Sequence, residues 1–219
     1  MSDATLALVW AAVFAGGVGA CVLLSARGMP RTLVRDALHV GAGVWPLGWP
    51  AWNGAVVPVA VAAVGCASLL AVPALAPRFD WARKVASAVS GDDERWSGLA
   101  LYGVAALLLT VLGFWRSPFP AAAGLLALAL GDGLGGLVGR RWGRLRYRVP
   151  WAKPKTLEGS LVVAVFSAVG IAVAAWRFGV ALGPGWLLVG ALVAAVAESL
   201  SPRSLDNLTV PLAVWALCC

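Results

Sequence analysis

Apolar residues form eight long runs in this chain, separated by short polar or basic segments. A helix needs about 20 apolar residues to cross the hydrocarbon core of a bilayer, and most of the runs approach that length. The pattern predicts an all-α, polytopic transmembrane helical bundle of about seven or eight spans, forming one membrane domain over residues 1–219. The runs cover residues 4–26, 37–52, 54–77, 97–115, 118–139, 159–176, 183–200 and 208–219.

Two of these runs are irregular. The second contains Gly41, Gly43, Pro46, Gly48 and Pro50, which favour a broken or re-entrant segment over a continuous helix. The last run is short, so its complete crossing stays open. Gly and Ala are abundant in the other runs, and this composition favours close helix packing.

The distribution of basic residues orients the predicted bundle. With the N-terminus outside, 15 of the 17 Lys and Arg residues fall in inside loops: three at 27–35, four at 78–95, seven at 140–155, and Arg203. Only Arg116 and Arg177 fall outside. This clustering excludes nucleic-acid binding as the reason for the net charge of +7. The start, MSDATLALVW, lacks a basic region and predicts a retained helix rather than a signal peptide. We therefore expect a multi-pass protein of the inner or plasma membrane.

Polar side chains are predicted to gather at the cytoplasmic ends of the spans. Ionisable groups in membrane segments are costly, so they are functional candidates by default. Of the acids, Asp3 alone falls on the opposite side. The gathered residues are Asp36, His39, Asp132, Glu158, Glu198, Asp206 and Asn207.

The segment GDGLGGLVGRRWGRLRYRVPWAKPKTLEGS, residues 131–160, carries the densest chemistry. Asp132 follows an apolar run and needs a partner or a metal. Glycines let backbone N–H groups approach phosphate oxygens, and the basic loop over about residues 139–158 offers charge for a polyphosphate. The segment is neither a Walker A motif nor a dinucleotide fingerprint. Glycines that serve helix packing and a basic loop that binds anionic lipid are the alternative interpretations.

Three further clusters add candidates. Arg35 and His39 lie four residues apart and share a helix face, although a structural role for His39 is an equal alternative. Glu94 shares a face with Tyr102, with simple helix capping as its alternative.

In AESLSPRSLDNLTVPL, residues 197–212, Pro202 breaks the chain. Asp206 and Asn207 can cap the next helix. Capping does not explain Glu198, which favours a shared site.

These motifs resemble a known family. VRDALHVGAG, ERWSGLALY, GDGLGGLVGRRWG, KTLEGS and ESLSPRSLDNLTVPL occur in the order seen in polytopic lipid-alcohol kinases: phytol, farnesol and dolichol kinases and the CTP-dependent diacylglycerol kinase. The resemblance covers roughly residues 30–215. Asp36 departs from it, standing where a basic residue is usual, and Pro154 splits the usual lysine pair into Lys153 and Lys155.

The resemblance implies a CTP-dependent kinase that phosphorylates a membrane isoprenoid alcohol with Mg²⁺ or another divalent cation, in a bilayer and with a possible homo-oligomeric state. For this transfer we expect catalytic roles for Asp132, His39 and Glu198, and supporting roles for Arg35, Glu94, Asp206 and Asn207. Asp132 is the first expected metal ligand, with Glu158, Glu198 or Asp206 completing the shell directly or through water. The implied nucleotide-binding residues are Gly131, Gly133, Gly139, Arg140, Arg141, Lys153, Lys155, Thr156, Glu158, Gly159 and Ser160.

Two other functions stay open at this point. The GD…KTLEGS block also resembles that of phosphatidate cytidylyltransferases, which release pyrophosphate, but their longer acidic C-terminal signature is missing. A transporter or lipid-binding scaffold is the second alternative. A transporter is expected to place polar groups near the bilayer midplane and to carry paired halves, neither of which the sequence shows.

Overall fold

A computed structural model describes residues 1–90, 96–152 and 154–219, and only the backbone of Arg203. Glu94 and Lys153, both predicted site residues, lie outside these described residues. Within them the chain forms nine α-helices, short 3₁₀ helices and one hairpin of two two-residue strands, which confirms the all-α membrane bundle. The helices are α1 (Asp3–Ala26), α2 (Arg31–Ala42), α3 (Val56–Leu75), α4 (Asp80–Val89), α5 (Ser97–Trp115), α6 (Pro118–Trp142), α7 (Leu157–Arg177), α8 (Pro184–Leu200) and α9 (Asp206–Cys218).

Five of the described helices are long and apolar enough to cross a membrane: α1, α3, α5, α6 and α7. The helices α8 and α9 are apolar but shorter. Each of the five corresponds to an apolar run of the sequence, because a continuous helix satisfies its own backbone hydrogen bonds where water is absent. The total of seven or eight spans stays a prediction.

The second apolar run is broken, as its prolines favour. The helix α2 ends at Ala42, and Trp45–Ala51 continues as a 3₁₀ helix containing Pro50. Contacts show that the segment formed by α2 and the 3₁₀ helix extends from one end of the bundle to the other. Its beginning meets α6 through the ion pair of Asp36 with Arg140, and just beyond its end the backbone N–H of Asn53 donates to Asp3 at the start of α1. The segment therefore does not turn back on itself.

One helix was missed by the sequence pattern. Residues predicted as an inside loop form α4, which packs on α1, α2 and α3. It buries Ala82, Ala88 and Val89 and exposes Trp81. Its charged opposite face made this segment read as a loop, although one-sided burial is what an amphipathic surface helix requires.

The helix α6 lies at the centre of the bundle, and nearly all its residues from Phe119 to Ala129 are buried. It packs closely against α7 because glycines remove side chains at the contact. A Cβ on Gly170 would lie 2.6 Å from the carbonyl carbon of Leu126. Beyond α6 the basic segment forms an antiparallel hairpin of β1 (Arg146–Tyr147) and β2 (Lys155–Thr156), which leads directly into α7.

Candidate active site

A π-helical turn in α6 positions the first acidic residue of the site. Residues Ala127–Asp132 wind as a π-helix, and turns of this kind occur frequently at functional sites. Side chains from neighbouring helices bond its carbonyl groups: Ser167 Oγ donates to the Ala127 oxygen at 3.2 Å, and His39 Nε2 lies 3.3 Å from the Leu128 oxygen. The wide turn is therefore supported from both sides, and it places Asp132 at the edge of the core.

His39 faces Asp132 from α2. Its Nε2 lies 3.7 Å from Asp132 Oδ2. The Tyr102 ring meets the imidazole edge-on at 4.6 Å, and the Tyr102 hydroxyl donates to the His39 carbonyl oxygen at 3.4 Å. The imidazole is thus contacted by α5 and α6, and it faces the Asp132 carboxylate.

Three carboxylates from three helices converge at this point. Asp132, Glu198 and Asp206 each offer an oxygen atom, and these atoms lie within 4.8 Å of one another. Glu198 lies in the last turn of α8, where the helix dipole disfavours a negative charge. Helix stability therefore does not explain its position. Asp206 begins α9, and its Oδ1 accepts the backbone N–H of Asn207 at 3.0 Å, so its Oδ2 is left for the cluster.

Lys155 from β2 compensates part of this negative charge. Its ammonium group lies 2.5 Å from Glu198 Oε1 and 3.9 Å from Asp206 Oδ2, and it also donates to the Glu198 carbonyl oxygen. Among the described residues, the buried Glu198 Oε2 and Asn207 Oδ1 have no hydrogen-bond partner. Buried oxygens without a donor are rare, and hard divalent cations prefer such oxygen ligands. The cluster therefore fits a divalent cation.

Cationic side chains line the adjacent wall. Arg140 makes an ion pair with Asp36, and Arg35 also bonds Asp36, at 3.3 Å. Asp36 is only 7% exposed, so its charge requires these partners. The acid that departs from the family pattern thus fixes the positions of two guanidinium groups at the site.

The KTLEGS segment forms the junction between the hairpin and α7. Thr156 caps α7 by accepting the backbone N–H of Gly159 at 3.2 Å. A Cβ on Gly139 would lie 3.0 Å from Thr156 Oγ1, and one on Gly135 would lie 3.0 Å from the Gly159 carbonyl oxygen. These glycines permit close packing of α6 on α7 and at the same time line the site. Ser160 Oγ bonds the Tyr147 hydroxyl at 2.6 Å.

Some predicted residues are not brought into the site. The Glu158 carboxylate accepts the backbone N–H groups of Arg144 and Leu145, at 3.0 and 3.2 Å, and does not belong to the carboxylate cluster. Arg141 stacks over Trp142. Gly131 is buried against Ser167 and serves helix packing. Of the three carboxylates expected to complete a metal shell with Asp132, the fold brings Glu198 and Asp206 to it, whereas the hairpin amides hold Glu158.

The carboxylate cluster, the cationic side chains and His39 surround a cavity of about 690 Å³. Sequence reasoning missed Tyr147, whose hydroxyl joins Ser160 to Ser199. No signal in the sequence separates it from its basic neighbours. The predicted site residues that line the cavity are Arg35, His39, Asp132, Gly133, Gly139, Arg140, Lys155, Thr156, Gly159, Ser160, Glu198, Asp206 and Asn207.

Comparison with known proteins agrees with the resemblance of the sequence motifs to lipid-alcohol kinases. The chain is 33% identical over 195 residues to the phytol kinase of Synechocystis sp., covering 84% of this chain and 76% of that protein. It is 31% identical over 210 residues to a probable chloroplastic phytol kinase of Triticum aestivum, covering 87% and 68%. No protein-family profile matches the chain. No solved structure matches it.

The similarity to the Synechocystis protein extends over most of both chains. The chain therefore belongs to the phytol kinase family, and it is a phosphotransferase with an alcohol group as the acceptor.

Proposed function

We propose that the chain transfers the terminal phosphoryl group of CTP to phytol or a related isoprenoid alcohol, with Mg²⁺, at the cytoplasmic face of a cell membrane. One observation carries this proposal: Asp132, Glu198 and Asp206 converge in a cavity that Lys155 and Arg140 also line. Phosphoryl transfer requires positioning and neutralisation of charge more than covalent chemistry, and this cavity offers both.

Asp132, Glu198 and Asp206 are the residues that would hold the cation. Their oxygens come from three helices, so the spacing is fixed by the fold and not by one flexible loop. Mg²⁺ bound there supplies charge neutralisation for the phosphate oxygens. Glu158 has no part in this ligand set, since backbone amides occupy its carboxylate.

Lys155 and Arg140 are proposed to bind the nucleotide phosphates. Both are already oriented by carboxylates, Lys155 by Glu198 and Arg140 by Asp36. Prior orientation reduces the side-chain entropy that is lost when the phosphates bind. The first turn of α7, capped by Thr156, directs backbone N–H groups and positive dipole potential to the same region.

In the reaction, the oxygen of the alcohol forms a bond to the γ-phosphorus, and the bond from that phosphorus to the β–γ bridging oxygen breaks. The nucleoside diphosphate leaves with the electron pair of that bond. The alcohol proton passes to a carboxylate oxygen of Asp132. His39 Nε2, 3.7 Å from Asp132 Oδ2, also faces the Leu128 carbonyl oxygen, so it carries a hydrogen and orients the carboxylate. Both relatives are named phytol kinases, and this supports an isoprenoid alcohol as the acceptor.

The orientation in the membrane is proposed from charge. The cavity lies at the end of the bundle that carries Arg35, Arg140, Arg146 and Lys155, and the opposite end carries Arg177 and Asp3. The positive-inside rule then directs the cavity to the cytoplasm, where nucleotides are available.

The test uses purified protein in nanodiscs with CTP, ATP or UTP labelled in the terminal phosphate. Phytol, farnesol, geranylgeraniol and diacylglycerol are offered separately. We expect labelled isoprenoid monophosphate and release of CDP, with CTP preferred as the donor. Pyrophosphate release would replace the proposal with cytidylyl transfer, and labelling of none of the isoprenoid alcohols would overturn it.

A further inference from the structure

A second cavity adjoins the polar one on the outer side of α2. It has a volume of about 410 Å³ and lies between α2 and the second half of α6. Only Asp36 and Gly133 line both cavities, so the two meet at these residues. The remaining lining is apolar and consists of Leu33, Ala37, Val40, Gly41, Leu134 and Leu137.

We propose that this α2–α6 groove holds the hydrocarbon tail of the lipid alcohol. The inference rests on the proposed function, because it assigns a place to the substrate of that reaction. The occupant is an isoprenoid chain, since the groove is apolar and ends beside Asp132 and His39, where the hydroxyl group has to be.

The meeting point of the two cavities is narrow. A Cβ on Gly133 would lie 2.7 Å from Val40 Cγ2 and 3.3 Å from His39 Cδ2. Glycine therefore lets α6 approach Val40 and His39 closely at the boundary between the two cavities. A chain lying in the groove has its head at this point, because Gly133 directly follows Asp132 in α6.

The lining of the groove offers a position at which its occupancy can be tested. Leu33, Ala37 and Gly41 follow one another at intervals of four, so they form one line along α2. Gly41 is five residues from Asp36, about 8 Å at the rise of an α-helix, so an isoprenoid chain with its head at Gly133 passes it. A Cβ on Gly41 would meet nothing within 4 Å, so a larger side chain there would enter the groove without disturbing helix packing.

The experiment compares Gly41→Leu with the parent protein on a series of isoprenoid alcohols from geraniol to geranylgeraniol and phytol. We expect kcat/KM for all these alcohols to fall about tenfold through a higher KM, with KM for CTP unchanged, since small changes in an apolar pocket have effects of that order. Gly16→Leu on α1 is the matched control, because Gly16 is also exposed in a helix with nothing within 4 Å of a Cβ.

A binding measurement on the unmodified chain keeps the inference testable if Gly41→Leu folds poorly. Farnesol carrying a terminal diazirine is photolysed with the protein in nanodiscs, and labelled peptides are identified by mass spectrometry. Labelling within residues 33–41 or 134–137 is the expected result, and competition by phytol is expected to remove it.

The outcomes separate the two proposals. An unchanged KM for the alcohols in Gly41→Leu, or photolabelling confined to other helices or uncompeted by phytol, overturns the groove while leaving the kinase activity in place. If the parent protein phosphorylates no isoprenoid alcohol, the proposed function itself fails.

Discussion

The two ends of the helical bundle are built from different chemistry. The cavity end gathers carboxylates, guanidinium groups and Lys155, and Glu198 Oε2 there lacks a partner among the described residues. The opposite end, called here the aromatic end, is packed by Trp10, Trp45 and Trp49 with their neighbours. Among the described residues, the unpartnered buried groups of the aromatic end include the indole N–H groups of Trp49 and Trp52, whereas those of the cavity end include oxygens of Glu198 and Asn207. One end therefore holds the bundle together by ring packing, and the other presents oxygens that suit a hard cation.

Packing at the aromatic end is close. The rings of Trp10 and Trp45 meet edge-on at 4.9 Å, and Trp45 Nε1 donates to Thr110 Oγ1 at 2.9 Å. Arg177 Nε donates at 2.9 Å to the carbonyl oxygen of Leu47, a residue of the 3₁₀ helix. Arginine at this end thus serves the backbone, whereas Arg140 at the cavity end is held by a buried carboxylate. Arginine therefore has a structural role at the aromatic end and lines the polar cavity at the other end.

The sharpest test of this comparison is Asp132→Asn. The substitution preserves size but removes the charge that the cation and His39 face, so we expect kcat/KM to fall about a thousandfold, the scale for losing a preorganised group in a buried site. The assay is transfer of labelled phosphate to phytol. Asp3→Asn at the aromatic end is the control and is expected to retain activity. Near-normal turnover of Asp132→Asn would remove the carboxylate cluster from the mechanism.

At the aromatic end the largest expected effect is on stability. Trp49 is 2% exposed and packs on α5, where a Cβ on Gly113 would collide with its ring. Trp49→Ala leaves a large cavity and is expected to lower the free energy of unfolding by about 3–5 kcal/mol. Denaturant unfolding in micelles measures this, with Trp176→Ala as control because Trp176 is 80% exposed.

The same variant tests whether the two ends are separable. For Trp49→Ala protein that is still folded, kcat is expected to equal that of the parent, since the substitution lies far from the carboxylates. A tenfold loss of kcat in the folded fraction would show that the aromatic end also positions the site.

Glu198→Gln is expected to have a smaller effect that is confined to cation binding. The amide keeps an acceptor for Lys155 but loses one negative charge of the cluster. The Mg²⁺ concentration for half-maximal rate is expected to rise about tenfold, and KM for phytol is expected to stay unchanged. A Mg²⁺ titration at saturating CTP measures it. An unaltered cation dependence would exclude Glu198 as a ligand.

The sequence predicted the cavity end well, for a physical reason. Successive spans run in opposite directions, so polar residues at alternate span ends return to the same face of the membrane. Asp132, Glu198 and Asp206 are far apart along the chain and converge by this rule. The broken second run also followed from its prolines, which lack the N–H that a continuous helix requires.

Other features depend on three-dimensional contacts that no local pattern encodes. The π-helical turn before Asp132 is supported by Ser167 and His39, which come from helices distant in sequence. The position of Glu158 depends on the hairpin, whose β1 and β2 are two residues each and carry no strand signal. Apolar periodicity specifies which residues are buried, but not which of two neighbouring acids faces a cavity.

The smallest expected effect, and the one that most sharpens the contrast between neighbouring acids, belongs to Glu158→Gln. Glu158 accepts backbone N–H groups of Arg144 and Leu145, and a glutamine oxygen can still accept one of them. The Mg²⁺ concentration for half-maximal rate is expected to stay within about twofold of the parent value, the range of substitutions that touch no buried group. A shift as large as that of Glu198→Gln in the same titration would show that Glu158 is a cation ligand. Its contact with the hairpin would then not be its main role. With the shift absent, cation binding is assigned to the residues that the helix ends bring together, and Glu158 is assigned to holding the basic segment against α7.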